Sequence, residues 1–337
     1  MTQRSCYARS DLNSRGASIR RSGTRDTRRQ LAVGLGLLAT FACACFPAFE
    51  DRPWLVDEPR VLGIRSTIAE LRPSSPVQLE ALVAAGDGTS TGPVAWSYCT
   101  QPRRVEERTG VTQSCAADQD LAPLDAPAVV PADACARFGP NPPPVEGEGP
   151  PRRPADPDGT GGYYLPVRAQ AEDPATGAAT QAFGAIRIHC DLAGVTREVF
   201  DAYQDQYRFN AHPGPVAVSD DSVPPPLDLQ RAPLSARPGE PIELFVHVGA
   251  ETASENFVVY VPREARLVEQ RENLHVSWFV TDGELEHSET RTSNAAPETS
   301  LSTTWRAPPQ PGPVFGWVVV RDTRGGMAWT DFRLIVE

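Results

Sequence analysis

Ile242, Leu244, Val246 and Val248 stand one residue apart, with Glu243, Phe245 and His247 between them. That period of two suits a strand resting one face on a core, because a helix would scatter the same positions around its axis. The pattern recurs at Val77, Leu79, Ala81 and Val83 and at Leu274, Val276, Trp278 and Val280, and Val94, Trp96 and Tyr98 share one face of a strand ending at Cys99. Turn signals close the runs at Pro73-Ser74-Ser75-Pro76, Pro238-Gly239, Asp282-Gly283 and Asp322-Thr323-Arg324-Gly325-Gly326. Short strands at this spacing predict an all-β chain built from antiparallel sandwiches. With 337 residues there is chain enough for two cores.

The divisions follow from where the pattern breaks. Residues 1–44 read as a signal peptide and 45–59 as an acidic tether carrying Trp54. Residues 60–223 form a first sandwich domain, and 224–337, opened by Pro224-Pro225-Pro226, a second that should fold by itself. Inside the first, 100–161 is an insert rich in proline and glycine. A structureless loop of that length is either functional or disordered, and the two cysteines inside it argue that it is stapled down. A helix is predicted over 195–207, where Val195, Val199, Tyr203 and Tyr207 recur every fourth residue beside Phe200, and Arg197, Glu198, Asp201 and Asp205 face away. That stripe is read as a packing face, and no cofactor is implied. Trp278, Trp305, Trp317 and Trp329 all fall in the second domain and are expected to dominate its core.

The leader specifies an address. Eight arginines precede the apolar run Leu31–Ala42, which ends in Cys43-Ala44-Cys45. A basic region, a short apolar region and small residues make a secretory signal. The run is shorter than the roughly 20 residues needed to span a bilayer. Cysteine at this place resembles the site of lipid attachment in bacterial lipoproteins, although neither Cys43 nor Cys45 has Leu three positions before it. Parity favours Cys45, since Cys99, Cys115, Cys135 and Cys190 then remain as an even set for disulfides. Simple secretion is the alternative. The remainder, 45–337, holds 24 Arg, no Lys and 41 acidic residues, a net charge of −17. Phosphate backbones repel such a chain, so nucleic acid is not an expected partner.

Ala236-Arg237-Pro238-Gly239, Val276-Ser277-Trp278-Phe279, Val319-Val320-Arg321-Asp322 and Arg324-Gly325-Gly326 resemble bacterial immunoglobulin-like and PKD-like modules. Both sandwiches are accordingly expected to be immunoglobulin-like. Pro47–Asp51, Pro59-Arg60-Val61-Leu62, Asp133–Pro140 and Asp156–Tyr164 resemble envelope lipoproteins of myxobacterial type. That resemblance implies a cell-envelope location, at the outer membrane or in the periplasm, and a fold, but no activity.

Chemistry-bearing residues are sparse. His189, His212, His247, His275 and His287 show no metal-ligand spacing, and Asp282, His287 and Ser288 sit by a hairpin without a nucleophile elbow. Asp156-Pro157-Asp158-Gly159 lacks the third carboxylate and the bidentate Glu of a calcium loop and reads as a turn. Neither metal nor cofactor is expected. The cysteines are expected to pair in a nested arrangement, Cys99 with Cys190 and Cys115 with Cys135. Cys99 and Cys190 end strands, whereas the other two lie in the insert. The leading expectation is a non-enzymatic envelope protein for binding, adhesion or scaffolding, held to the membrane through its lipid and facing a protein or polysaccharide. An accessory substrate-binding module, or a hydrolase with its site in the insert, are the alternatives.

Overall fold

The structure is a computed structural model that describes residues 52–90, 92–102, 110–124, 127–139, 159–172, 177, 179–223, 233–249, 254–292 and 300–337. In the first half the strands are β1 (Arg60–Ser66), β2 (Glu70–Leu71), β3 (Leu79–Ala85), β4 (Gly88–Ser90), β5 (Val94–Cys99), β6 (Leu121–Pro123), β7 (Gly162–Glu172) and β8 (Ala179–His189). Short helices α1 (Gln113–Ala116) and α2 (Ala134–Phe138) flank β6, and α3 (Arg197–Gln206) follows β8. Five strands pair in the order β2-β8-β7-β5-β6 and three in the order β1-β3-β4. Alternation explains the long pair: Tyr163, Leu165, Val167 and Ala169 of β7 point inward and meet Ile186 and Ile188 of β8 around Ile64, Leu71 and Val130. The expected helix is present as α3. Its Thr196 hydroxyl accepts from the Val199 N–H and Glu198 lies in the first turn, two favourable N-terminal features.

The second half contains β9 (Val216–Ser219), β10 (Leu234–Ala236), β11 (Pro241–Val248), β12 (Asn256–Val261), β13 (Arg266–Arg271), β14 (Leu274–Val280), β15 (Glu284–Leu285), β16 (Glu289–Arg291), β17 (Ser300–Arg306), β18 (Gly312–Asp322) and β19 (Met327–Val336). A five-stranded sheet β10-β19-β18-β14-β16 faces a four-stranded sheet β15-β17-β11-β9, and β12-β13 is a separate hairpin. The core between them holds Leu244, Val246, Val276, Trp278, Trp305, Val318, Val320 and Leu334. Among the named strands of the described residues, pairing is antiparallel except at two short edge strands, β10 along β19 and β2 along β8.

Three findings depart from the expected division. β9 pairs with β11, so the second half's sheets begin at Val216 rather than after 224. Trp54 packs on the second core, its carbonyl accepting from Val280 N–H at 3.0 Å, so the tether is docked there at Trp54. Trp317 and Trp329 leave that core for a third cluster with Val56, Leu62, Leu82, Ala84 and Val319. The reason is strand geometry: along β18, Val318 and Val320 face one side, and Trp317 and Val319 the other. The β1-β3-β4 sheet therefore gives Ile64 and Leu79 to the first core and Leu62, Leu82 and Ala84 to the second half. Residues Asp51–Glu337 form one compact unit.

Candidate functional site

Charge is buried where the two halves meet. The register of β2 on β8 sets Glu70 directly beside Arg187, and both side chains are fully buried with Nε and Oε1 3.2 Å apart. Arg187 also donates to the Thr160 hydroxyl (2.6 Å), to the Tyr164 hydroxyl (3.0 Å) and to the Arg324 carbonyl (3.4 Å). Gly162 makes the room, for a Cβ there would lie 2.0 Å from the guanidinium. Glu70 accepts from the Asn210 N–H at 2.9 Å and from the Tyr207 hydroxyl, which α3 delivers, and His189 lies 3.8 Å away. Burial by itself raises the Glu70 pKa, but His189, Arg187, Tyr207 and Asn210 outweigh it and hold the carboxyl down to about 2. Burial pushes the Tyr203 and Tyr207 hydroxyls well up.

Asn210 carries the network across. Its amide donates to both oxygens of Asp322 at 3.3 Å, and Asp322 also accepts the N–H groups of Arg324 and Gly326 at 2.8 Å. Arg324, in the turn between β18 and β19, donates to Glu272 (2.6 Å), Glu255 (2.9 Å) and the Arg208 carbonyl (2.8 Å), and lies 4.9 Å from the Phe257 ring centre. Burial and the Asp322 charge raise the Glu272 pKa to about 7, exceeding the pull of Arg324, and burial likewise raises Asp322. Donors and acceptors here face one another inside the protein, an arrangement that fastens segments together.

An open site among the described residues lies on the first sandwich. A groove of about 400 Å³ is lined by Val77, Gln78, Leu79, Trp96, Leu124, Pro127 and Ala128. One wall follows β6: Leu124 N–H donates to the Trp96 carbonyl (3.0 Å) and Val77 N–H to the Ala128 carbonyl (2.9 Å). A disulfide holds each end of that wall. Cys99–Cys115 ties the end of β5 to α1, ahead of β6, and Cys135–Cys190 ties α2 to the chain just beyond β8.

These pairs correct the nested pairing expected from the sequence. Cα–Cα separations are 5.7 Å for Cys99–Cys115 and 5.4 Å for Cys135–Cys190. The expectation treated Cys115 and Cys135 as residents of one unstructured insert. Instead β6 pairs with β5, Cys99 opposite Leu121, which folds α1 back onto the strand end. Val111 and Cys115 are buried there with Cys99, while α2 places Ala134 and Phe138 in the first core beside Cys190. Cys45 and the Asp156-Pro157-Asp158 stretch lie outside the described residues.

The histidines are dispersed. His189 bonds Asp191 (2.8 Å), His212 bridges the Ser66 carbonyl and Met327 N–H, and His275 meets Glu289 at 3.3 Å. His247 contacts the Ser219 hydroxyl at 2.8 Å, but that hydroxyl donates to the Asp221 carbonyl, so its oxygen is not primed as a nucleophile. Asp282, His287 and Ser288 do not assemble: the Asp282 carboxylate accepts from Gly283 N–H, and the exposed His287 ring faces Glu286. Among the described residues no group of three or more His, Cys, Asp or Glu is arranged to hold a metal ion, and no helix is long and apolar enough to cross a membrane. Sequence reasoning missed Glu70, Arg187, Asn210, Glu272 and Arg324, which lie far apart in the chain. The Gly161-Gly162 pair before Tyr163 was the one local sign of a close approach.

The sheets define the class: an all-β protein of immunoglobulin-like sandwiches braced by two disulfides. No protein-family model and no curated protein matches the chain. Among solved structures it is similar to latent PorU from Porphyromonas gingivalis, at 13% identity and a TM-score of 0.20 over 84% of this chain and 24% of that one. The chain thus spans about a quarter of PorU. It is similar also to fibronectin(III)-like modules of Clostridium thermocellum CbhA (11%, TM-score 0.22, 85% and 92% covered). Extracellular cadherin domains of protocadherin gamma B7 follow (10%, TM-score 0.17, 83% and 50% covered). Nothing about activity or partners follows from likenesses at this level.

Proposed function

We propose that the chain is an exported envelope protein, lipid-anchored through Cys45, that binds another protein in the groove beside Trp96 and performs no catalysis of its own. The groove, one wall of which has a disulfide at each end, carries this reading. Its lining side chains are mostly apolar, with Gln78 the one amide, which suits one or two large apolar side chains of a polypeptide better than a sugar, whose hydroxyls need several polar partners. The net charge of −17 over residues 45–337 favours a neutral or basic partner. Paired disulfides, which persist in oxidising compartments, support a location outside the cytoplasm.

The test is a photo-reactive residue placed at Gln78 of the full chain in its native envelope. We expect an ultraviolet-dependent adduct with a discrete protein, abolished by Trp96→Ala, and a mature N-terminus at acylated Cys45 by mass spectrometry. An adduct with carbohydrate would transfer the reading to an accessory polysaccharide-binding module. An adduct indifferent to Trp96→Ala, or none, would overturn the groove as the binding face.

A further inference from the structure

The β12-β13 hairpin is held to the rest of the protein by charge, and the charges do not balance. Glu255 and Glu272 stand at its two feet and are bonded to each other, Glu272 N–H to the Glu255 carbonyl at 2.9 Å and Glu255 N–H to the Glu272 carboxylate Oε2 at 3.2 Å. Arg324 enters between them from the β18-β19 turn and binds both carboxylates. Asp322 of the same turn is the third carboxylate, buried against Asn210. Three carboxylates thus gather about Arg324, two on its guanidinium and Asp322 on its backbone N–H, and Glu272, Asp322 and Arg324 are each at least nine-tenths buried.

The neighbours do not make up the deficit. The Arg271 guanidinium is exposed and bonded to the Ser254 hydroxyl, and that of Arg208 is turned to the carbonyls of Asp205 and Tyr207. Arg187 is matched by Glu70, across Asn210. His212, which accepts a hydrogen bond from Met327 N–H at Nδ1 and faces the Ser66 carbonyl with Nε2, is in the neutral form. Arg321 points to Ser277 and the Leu62 carbonyl on the opposite face of its strand.

We propose that Glu255, Glu272 and Asp322 about Arg324 form a proton-held clasp, closed while the cluster keeps one proton and loosened when that proton leaves. What the clasp fastens is explicit in the bonds. Arg324 holds the hairpin feet and the Arg208 carbonyl together, and Glu255 accepts the Ala211 N–H at 3.2 Å, so hairpin, turn and the 208–212 segment share one knot. Releasing the proton leaves carboxylates repelling one another where water cannot screen them. The raised pKa of about 7 at Glu272 agrees with this count, and because the carboxyls interact the proton belongs to the pair with Asp322. A carboxyl raised above its unfolded value stabilises fully below the ordinary carboxylate range and loses that contribution as pH rises through about 7. The clasp is therefore tight in acid and slack in weak alkali.

Hydrogen exchange of the full chain at pH 5.5 and pH 8, corrected for the intrinsic rate, tests it. We expect peptides covering 208–212 and 254–272 to open up to about 30-fold more at pH 8, with β7 and β8 unchanged. Glu272→Gln should make the hairpin insensitive to pH; should that variant not fold, Asp322→Asn serves as the second. Equal protection of the hairpin at both pH values would overturn the proposal. So would an unchanged pH response in the folded variant.

Discussion

Glu70 and Glu272 illustrate how two buried glutamates acquire opposite behaviour from their neighbours. Glu70 faces Arg187, Tyr207 and the Asn210 N–H, and its carboxyl stays ionised to about pH 2. Its lowered pKa contributes stability above the ordinary carboxylate range, and that contribution is lost as pH falls from about 4.5 towards 2. Glu272, with its pKa raised, loses its contribution in the other direction. Thermal stability should therefore peak near pH 5 and fall on both sides. Glu70→Gln should flatten the acid limb alone, and a melting profile from pH 2 to 8 reads both limbs. Glu70→Ala is a harsher change, because Arg187 is left buried without its partner, at a cost of about 3 to 5 kcal/mol. Neither glutamate carries a sequence mark. Glu70 follows Ala69 in a turn-rich stretch, and only the β2-β8 register sets it beside a residue more than a hundred positions away.

At the scale of elements, the two disulfides decide how the insert is built. Each closes a loop between one framework strand end and one short helix, so the insert becomes two braced loops and not a single nested one. A non-reducing peptide map should recover Cys99 with Cys115 and Cys135 with Cys190. In the chain-entropy view, Cys99→Ser with Cys115→Ser should cost roughly 3 kcal/mol and Cys135→Ser with Cys190→Ser roughly 4, the second pair closing the longer loop. Denaturant titration of both double variants checks the order. The strands were legible because one-sided burial writes a period of two into β7, β11 and β14. The same rule hid the role of β18, whose run Val314-Phe315-Gly316-Trp317-Val318-Val319-Val320 is apolar on both faces. Such a run states that both faces are covered without saying by what.

For the whole molecule, the shared cluster about Trp317 makes the halves interdependent. Residues 227–337 by themselves lack β9 and Trp54, and they uncover Trp317 and Val319. Burying a large apolar side chain contributes about 1.5 to 3 kcal/mol, so several lost together are a large part of a domain's marginal stability. The 227–337 fragment should therefore be less stable than the same region in the full chain, and calorimetry of the full chain should show a single transition. Two resolved transitions, the upper one matching the fragment, would contradict that expectation.

The sequence by itself determined the all-β class, most strand positions, the helix at α3 and the even set of four cysteines. These are local properties, written in alternation, turn residues and counts, and they need no knowledge of what lies opposite. Only the tertiary structure decided which cysteines pair, where the first sheet ends and the second begins, and which charges meet at the knot of Glu70, Asn210, Asp322 and Arg324. Those facts depend on contacts between residues remote in the chain, and a single sequence carries no local energy term that distinguishes one such pairing from another.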